Sequence, residues 1–223
     1  MTAPGIVARR IGREQQAIAI IDGLAPDPDA LRAAAQARGF GPARRHYPGL
    51  RAPLPPDYLP AVQPILAMVL REVFGIGRAD LLDASFSIVT TPPEALSVQQ
   101  RLPHVDAVAP GRIALVHYLV PEGGDGTAFF RHRATGFETI DEARAPAYFE
   151  RLGAELHSHG PAPAYVADST PLFERIALVE GRYNRALLYR SAMLHSGAIG
   201  PDTLLTDDPV RGRLTVTAFL SAV

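Results

Sequence analysis

The chain has 223 residues, a formal net charge of −1 and no cysteine. That length suits one domain with a sizeable core, and the near-neutral balance gives no reason to expect nucleic acid or an anionic membrane as a partner. The lack of cysteine excludes disulfides, zinc–thiolate sites, iron–sulfur clusters and thiol nucleophiles, so any metal must be held by histidines, carboxylates or backbone oxygens.

A single domain over 1–223 is expected, with 1–16 as an N-terminal extension. No signal-peptide apolar region precedes Ala17–Ile21, and that stretch is far too short to span a bilayer. A soluble cytoplasmic protein is therefore expected. Ala17–Ile21 reads as a buried strand, and Asp22-Gly23 turns the chain. Asp27 or Asp29 can cap a helix through Leu31–Arg38 that stops at Gly39. Residues 40–56, rich in Pro, Gly and Arg, read as a loop. Leu59, Val62, Ile65, Leu66, Val69, Leu70 and Val73 then recur at a period near 3.6, which predicts an amphipathic helix from Asp57 to Phe74.

Beyond Gly77 the pattern turns to strands: Ala84–Thr90, Gly111–Val120, Thr127–Arg133 after a Glu122–Gly126 turn, Ala186–Tyr189 and Arg213–Leu220. A helix over 141–156 interrupts them, with Tyr148, Leu152 and Leu156 on one face. Strands without regularly alternating helices argue against a doubly wound parallel sheet. They predict a mainly β, α+β architecture, a sandwich or jelly roll with helices packed outside.

His104-Val105-Asp106, with His195 far downstream, carries the chemistry. In an extended segment residues i and i+2 share a face with Cα atoms roughly 6.6 Å apart, so an imidazole and a carboxylate can converge on one ion. A second histidine from another strand completes the two-His-one-carboxylate set of non-haem Fe(II) sites. Arg213 lies in the apolar run Gly212–Phe219, with Thr215 and Thr217 on its face. An arginine there is costly unless a carboxylate pairs with it.

Other residues have plainer readings. His117 reads as a core residue or a support to the metal site, and His132 as part of a solvated basic edge or a contact at the site mouth. His157 and His159 read as loop residues, and Asp141 and Glu155 as a solvated helix face. His46 and Tyr47 belong to ARRHYPGLR, a basic, aromatic loop that reads as solvated. Gly123, Gly124 and Gly126 fit a tight turn, because no P-loop or G-x-S-x-G spacing accompanies them.

The order PHVD, YLV–GGDGTAFF, LHSG and GRLTVTAF resembles the Fe(II)/2-oxoglutarate-dependent dioxygenases, on the prolyl-hydroxylase-like side. YPGLR, PHVD, GGDGTAFFRHR, YNRALLYRSAMLHSG and GRLTVTAFL resemble an uncharacterised bacterial family within that superfamily, over roughly residues 17–222. The resemblance implies a double-stranded β-helix (jelly roll) core with the N-terminal helices outside, and it places YPGLR near the site. It implies His104, Asp106 and His195 as the catalytic iron ligands and Arg213 as the partner of the distal carboxylate of 2-oxoglutarate. Tyr118 and Thr215 become candidate hydroxyls for the same carboxylate. The implied reaction is hydroxylation of a small molecule or peptide side chain with release of succinate and CO2; Asp106 favours this over halogenation, where a small residue makes room for chloride.

One departure stands out. The 18 positions from His195 to Arg213 exceed the superfamily's usual spacing. A loop inserted over Ile199–Val210 would preserve the pairing; a broken register would hand the role to Arg190 or Arg133. Two other classes stay open: a non-catalytic jelly roll binding a metal or a partner, and a cupin-type metalloenzyme with His117 near the metal.

Overall fold

The computed structural model describes residues 3–43 and 47–223. Strands β1 (Gly5–Ile11) and β2 (Gln16–Asp22) are followed by helix α1 (Pro28–Gln36), a hairpin of β3 (Gly41–Pro42) and β4 (Gly49–Ala52), and helix α2 (Tyr58–Phe74). Then come β5 (Ala79–Val89), β6 (Arg112–Tyr118), β7 (Gly124–His132), helix α3 (Ala145–His159), β8 (Phe173–Gly181), β9 (Arg185–Arg190), β10 (His195–Gly197) and β11 (Leu214–Ala222). Among the described residues, eight strands form one sheet in the order β1-β2-β9-β6-β11-β5-β4-β3, and three form a second in the order β10-β7-β8. No described helix is long and apolar enough to cross a membrane.

Strand alternation assigns each sheet face its task. From the large sheet, Ile113, Leu115, Phe86, Ile88, Val216 and Leu188 turn to one side and pack under α1 and α2, against Leu31, Val62, Leu66 and Phe74. Their neighbours Ala114, Tyr118, Leu187, Tyr189, Ile18 and Ile20 turn the other way and meet Phe129 and Val179 of the small sheet. The opposite face of that sheet, with Ala128 and Phe130, packs under Tyr148 and Leu152 of α3. The protein is thus mainly β, with helices covering the outer faces of two packed sheets.

Local chemistry sets the helix ends. The Asp27 carboxylate accepts from the Ala30 N–H at 2.9 Å, and Pro28 occupies the first helical turn of α1. Gly75 ends α2 at φ 69°, where the Gly75 and Ile76 N–H groups close back on Arg71 and Leu70.

Several expectations change. Residues 5–11, expected in an N-terminal extension, form an edge strand paired along β2 from Gly5↔Asp22 to Ile11↔Gln16. Its side chains are mostly exposed, so pairing and not burial makes it a strand. Part of the expected 40–56 loop pairs as β3 and β4, and β4 extends the large sheet along β5. Strand β8 is an addition to the expected strands. α3 runs to His159, so His157 and His159 are helical. His132 is fully buried, its imidazole 2.8 Å from the Glu155 carboxylate; neither is a solvated edge group. His46 lies outside the described residues.

His117 belongs to the helix-covered face. Asn184 Oδ1 already accepts from the Ala25 N–H, so His117 Nε2 donates to it at 2.9 Å and Nδ1 accepts from the Tyr58 hydroxyl at 3.0 Å. Burial pulls its pKa down to about 4. The unfolded chain therefore takes up a proton near the ordinary value of 6.5 while the fold refuses it. Stability is lost as pH falls from 6.5 to 4, by about 3 kcal/mol from this group. Urea denaturation of the wild type and His117→Gln should show the difference between the two profiles changing across that window; parallel profiles would refute the assignment.

Candidate metal centre

The three proposed ligands reach one point by local pairing. His104 does not sit in a strand. Its N–H donates to the His195 carbonyl at 2.9 Å, and the His195 N–H donates back to His104 at the same distance. This single antiparallel bridge hangs His104 on β10, which is itself held by β7 through His195↔Phe129. The Asp106 N–H donates to the carbonyl of Ser191, the residue after β9, at 2.9 Å. One ligand atom from each of His104, Asp106 and His195 then lies within 4.8 Å of the others. No other described group of three or more such residues has metal-binding geometry.

The proton positions test whether a cation fits. His195 Nδ1 donates to the Met193 carbonyl at 2.8 Å, leaving Nε2 as a lone pair. Burial holds the His195 pKa at about 4, so the ring is neutral at pH 7. That lone pair faces Asp106 Oδ2 at 3.5 Å. Burial pushes the Asp106 pKa up to about 6 against the opposing charges of His104 and Arg51, and its Oδ2 has no hydrogen-bond partner. His104 Nε2 lies 3.8 Å from Asp106 Oδ1. At neutral pH an anion and a lone pair are turned towards each other with no proton between them. A divalent cation resolves that arrangement, and two imidazoles with one carboxylate suit Fe(II). The rings of Tyr189 (4.7 Å between centroids) and Phe129 (6.5 Å) wall the His195 side.

Arg213 lies immediately before β11. Its Nη2 donates to the Gly126 carbonyl at 3.0 Å, its guanidinium carbon stands 5.8 Å from the Tyr118 ring centre, and its buried Nε has no partner. On the same face, Thr215 is opposite Tyr118 of β6 and Ser87 of β5. Arg213 and Asp106 both act electrostatically on the buried Tyr189 hydroxyl, burial raising its pKa and Asp106 adding to it while Arg213 opposes. Tyr189 thus lies within electrostatic reach of both Arg213 and Asp106. The long interval from His195 is absorbed by a loop after β10 that is tied to Asp125 through the Gly200 N–H (3.2 Å) and the Thr203 hydroxyl. Arg190 instead donates to the Phe74 carbonyl at the end of α2, and Arg133 to the Thr170 carbonyl.

Residues from the 47–52 segment complete the site. Arg51 stacks over the Tyr47 ring at 5.0 Å and pairs with Asp83 at 3.0 Å. The Tyr47 hydroxyl is buried without a hydrogen-bond partner. Burial raises its pKa, while the charges of Arg213 and Arg51 and the nearby Ser87 and Thr215 oppose the rise without a hydrogen bond of good geometry. From its residues alone this segment reads as a basic, aromatic, solvated loop, because its partners lie far along the chain; the family resemblance is what places YPGLR near the site. His117, on the opposite face of β6, is not part of the centre.

The chain thus joins a mainly β fold to one cluster of two histidines and a carboxylate, the donor set of a mononuclear metal site. It belongs to the family described as "Family of unknown function (DUF6445)", whose model matches residues 2–220. A search of curated proteins returned no match. Among solved structures, the chain is similar to HygX from Streptomyces hygroscopicus with nickel, 2-oxoglutarate and hygromycin B bound, at 14% identity and TM-score 0.49 over 95% of this chain and 88% of that one. It is also similar to the non-heme alpha ketoglutarate dependent epimerase SnoN from nogalamycin biosynthesis (11% identity, TM-score 0.48, 94% of this chain and 79% of that one). AviO1 from Streptomyces viridochromogenes Tue57 is a further neighbour (14% identity, TM-score 0.43, 98% and 90%).

Proposed function

We propose that the protein is a non-haem Fe(II)- and 2-oxoglutarate-dependent oxygenase on a double-stranded β-helix core, hydroxylating a small molecule or a peptide side chain. The observation that carries this is the buried Asp106 carboxylate facing the His195 Nε2 lone pair at 3.5 Å with no donor between them. His104, Asp106 and His195 hold the metal on one face and leave its other positions for ligands. Iron, when bound, supplies the activation of O2 that couples conversion of 2-oxoglutarate to succinate and CO2 with hydroxylation of the substrate. Met193 fixes the His195 tautomer through its carbonyl, and Tyr189 and Phe129 exclude water from that side. Arg213, with its free Nε, pairs with the distal carboxylate of 2-oxoglutarate. We take it to be a cytoplasmic enzyme acting on a small molecule or peptide; its near-neutral charge gives no reason to expect nucleic acid.

The test is binding and turnover. The Fe(II) protein should bind 2-oxoglutarate and form succinate from it. Arg213→Met should weaken 2-oxoglutarate binding roughly thirtyfold or more, because truncating one partner of a buried charge pair costs about 2–5 kcal/mol. A wild-type protein that binds no 2-oxoglutarate and forms no succinate would end this reading.

A further inference from the structure

We infer that the Tyr47 hydroxyl, from the segment leading into β4, binds the distal carboxylate of the 2-oxoacid alongside Arg213. This rests on the reading of the centre as a 2-oxoglutarate site, and it names a residue that neither the Tyr118 nor the Thr215 expectation supplies.

Of the hydroxyls near Arg213, those of Tyr118, Tyr165 and Thr215 already have hydrogen-bond partners. The Tyr118 hydroxyl is hydrogen-bonded to Thr127 Oγ1 at 2.7 Å, and Thr215 Oγ1 donates to the Ser87 carbonyl at 3.3 Å. Only the Tyr47 hydroxyl is both buried and without a partner. Such a group is costly in a folded chain, and each instance asks for an explanation. Arg213 Nε is in the same condition while Nη2 is held by Gly126. A carboxylate has two oxygens that accept and none that donates. One oxygen can take Arg213 Nε–H and the other Tyr47 O–H, which satisfies both orphans with one ligand group.

The local chain is built to hold Tyr47 there. The Thr90 and Thr91 N–H groups both donate to the Pro48 carbonyl, at 3.1 and 3.3 Å. This pins the segment to the end of β5. Gly49 lets the backbones approach: a Cβ at that position would stand 1.9 Å from the Ile88 carbonyl oxygen. Arg51 then packs on the ring. The Tyr-Pro-Gly-Leu-Arg motif thus reads as an aromatic donor, an anchor, a close approach and a clamp.

The test compares 2-oxoglutarate with 2-oxobutyrate, the same 2-oxoacid without its distal carboxylate. Both would be titrated anaerobically into the Fe(II) forms of wild type, Tyr47→Phe and Tyr118→Phe, and dissociation constants measured by calorimetry. Tyr47→Phe should weaken 2-oxoglutarate about tenfold or more, the usual effect of losing a hydrogen bond to a charged group. It should leave 2-oxobutyrate unchanged, and without ligand the variant should be at least as stable to urea as the wild type. Tyr118→Phe should leave the preference between the two acids as it was. Equal weakening of both acids by Tyr47→Phe, no weakening of either, or a preference lost in Tyr118→Phe would each overturn the inference while the site reading survives. A wild type that binds neither acid would overturn the site reading itself, and this inference with it.

Discussion

Asp106→Asn is expected to abolish tight metal binding and at the same time to stabilise the metal-free protein. The carboxylate is the anionic member of the set, and without it only the two imidazoles remain. Metal affinity should fall by more than the roughly 10–100-fold typical of losing a group that merely supports a ligand. Stability moves the other way. Burial raises the Asp106 pKa to about 6 from an ordinary 3.8. A carboxyl whose folded pKa is raised favours the fold below its unfolded pKa and loses that advantage as pH climbs through the folded one. At pH 7 the ionised group costs the metal-free fold on the order of 3 kcal/mol. Asparagine removes that charge and can donate towards His195 Nε2. Thermal denaturation in chelator at pH 7 should place the variant above the wild type, with the gap closing towards pH 4. Adding metal should restore the lead to the wild type. A variant that is less stable without metal at pH 7 would contradict the proton positions argued above.

Arg131→Met is expected to destabilise the protein by about 3–5 kcal/mol, the cost of leaving a buried charge without its partner. Arg131 of β7 is nearly buried between two carboxylates, donating to Glu138 Oε1 and Glu174 Oε2 at 2.8 Å each. Burial works against an ionised Glu138. The Glu14 and Arg13 N–H groups and the Arg131 guanidinium together outweigh it and hold its pKa below the ordinary value. The consequence reaches the metal centre, because the Glu138 carbonyl accepts from the Leu194 N–H at 2.8 Å, one residue before His195. Urea denaturation at pH 7 reads the loss. Glu138→Gln in the same background should recover part of it, since the orphaned charge is then gone. A loss under about 1 kcal/mol, in the range of an exposed ion pair, would mean that the pair is solvated and not structural.

What the sequence disclosed depended on how local the cause was. The helix over Tyr58–Phe74 follows from a period near 3.6, and β6 and β11 from runs of apolar and β-branched residues. β1 is a strand because β2 offers it an edge, and its own exposed residues carry little trace of that. His104, Asp106 and His195 were legible as residue types in order. Their convergence was expected from strand geometry, whereas it comes from a one-residue bridge between His104 and His195. The shared place of Arg213, Tyr118 and Thr215 follows from antiparallel register across β6 and β11. Tyr47 and Arg51 were near the site only by family resemblance, because their role is set by packing onto β5 and by an arginine more than 150 positions away. The buried His132–Glu155 pair was hidden for a similar reason: the carboxylate comes from α3, which crosses the outer face of β7.

The central claim is that His104, Asp106 and His195 hold Fe(II) and that this metal is where 2-oxoglutarate binds. The most direct test is an anaerobic titration of the Fe(II) protein with 2-oxoglutarate, followed by the visible absorption that arises when a 2-oxoacid chelates ferrous iron. One iron per chain is expected, with a band that saturates at one equivalent of 2-oxoglutarate. The band should require both components and be absent in His195→Ala. A wild-type protein that takes up no stoichiometric iron, or that gives the same band after His195→Ala, would contradict the claim.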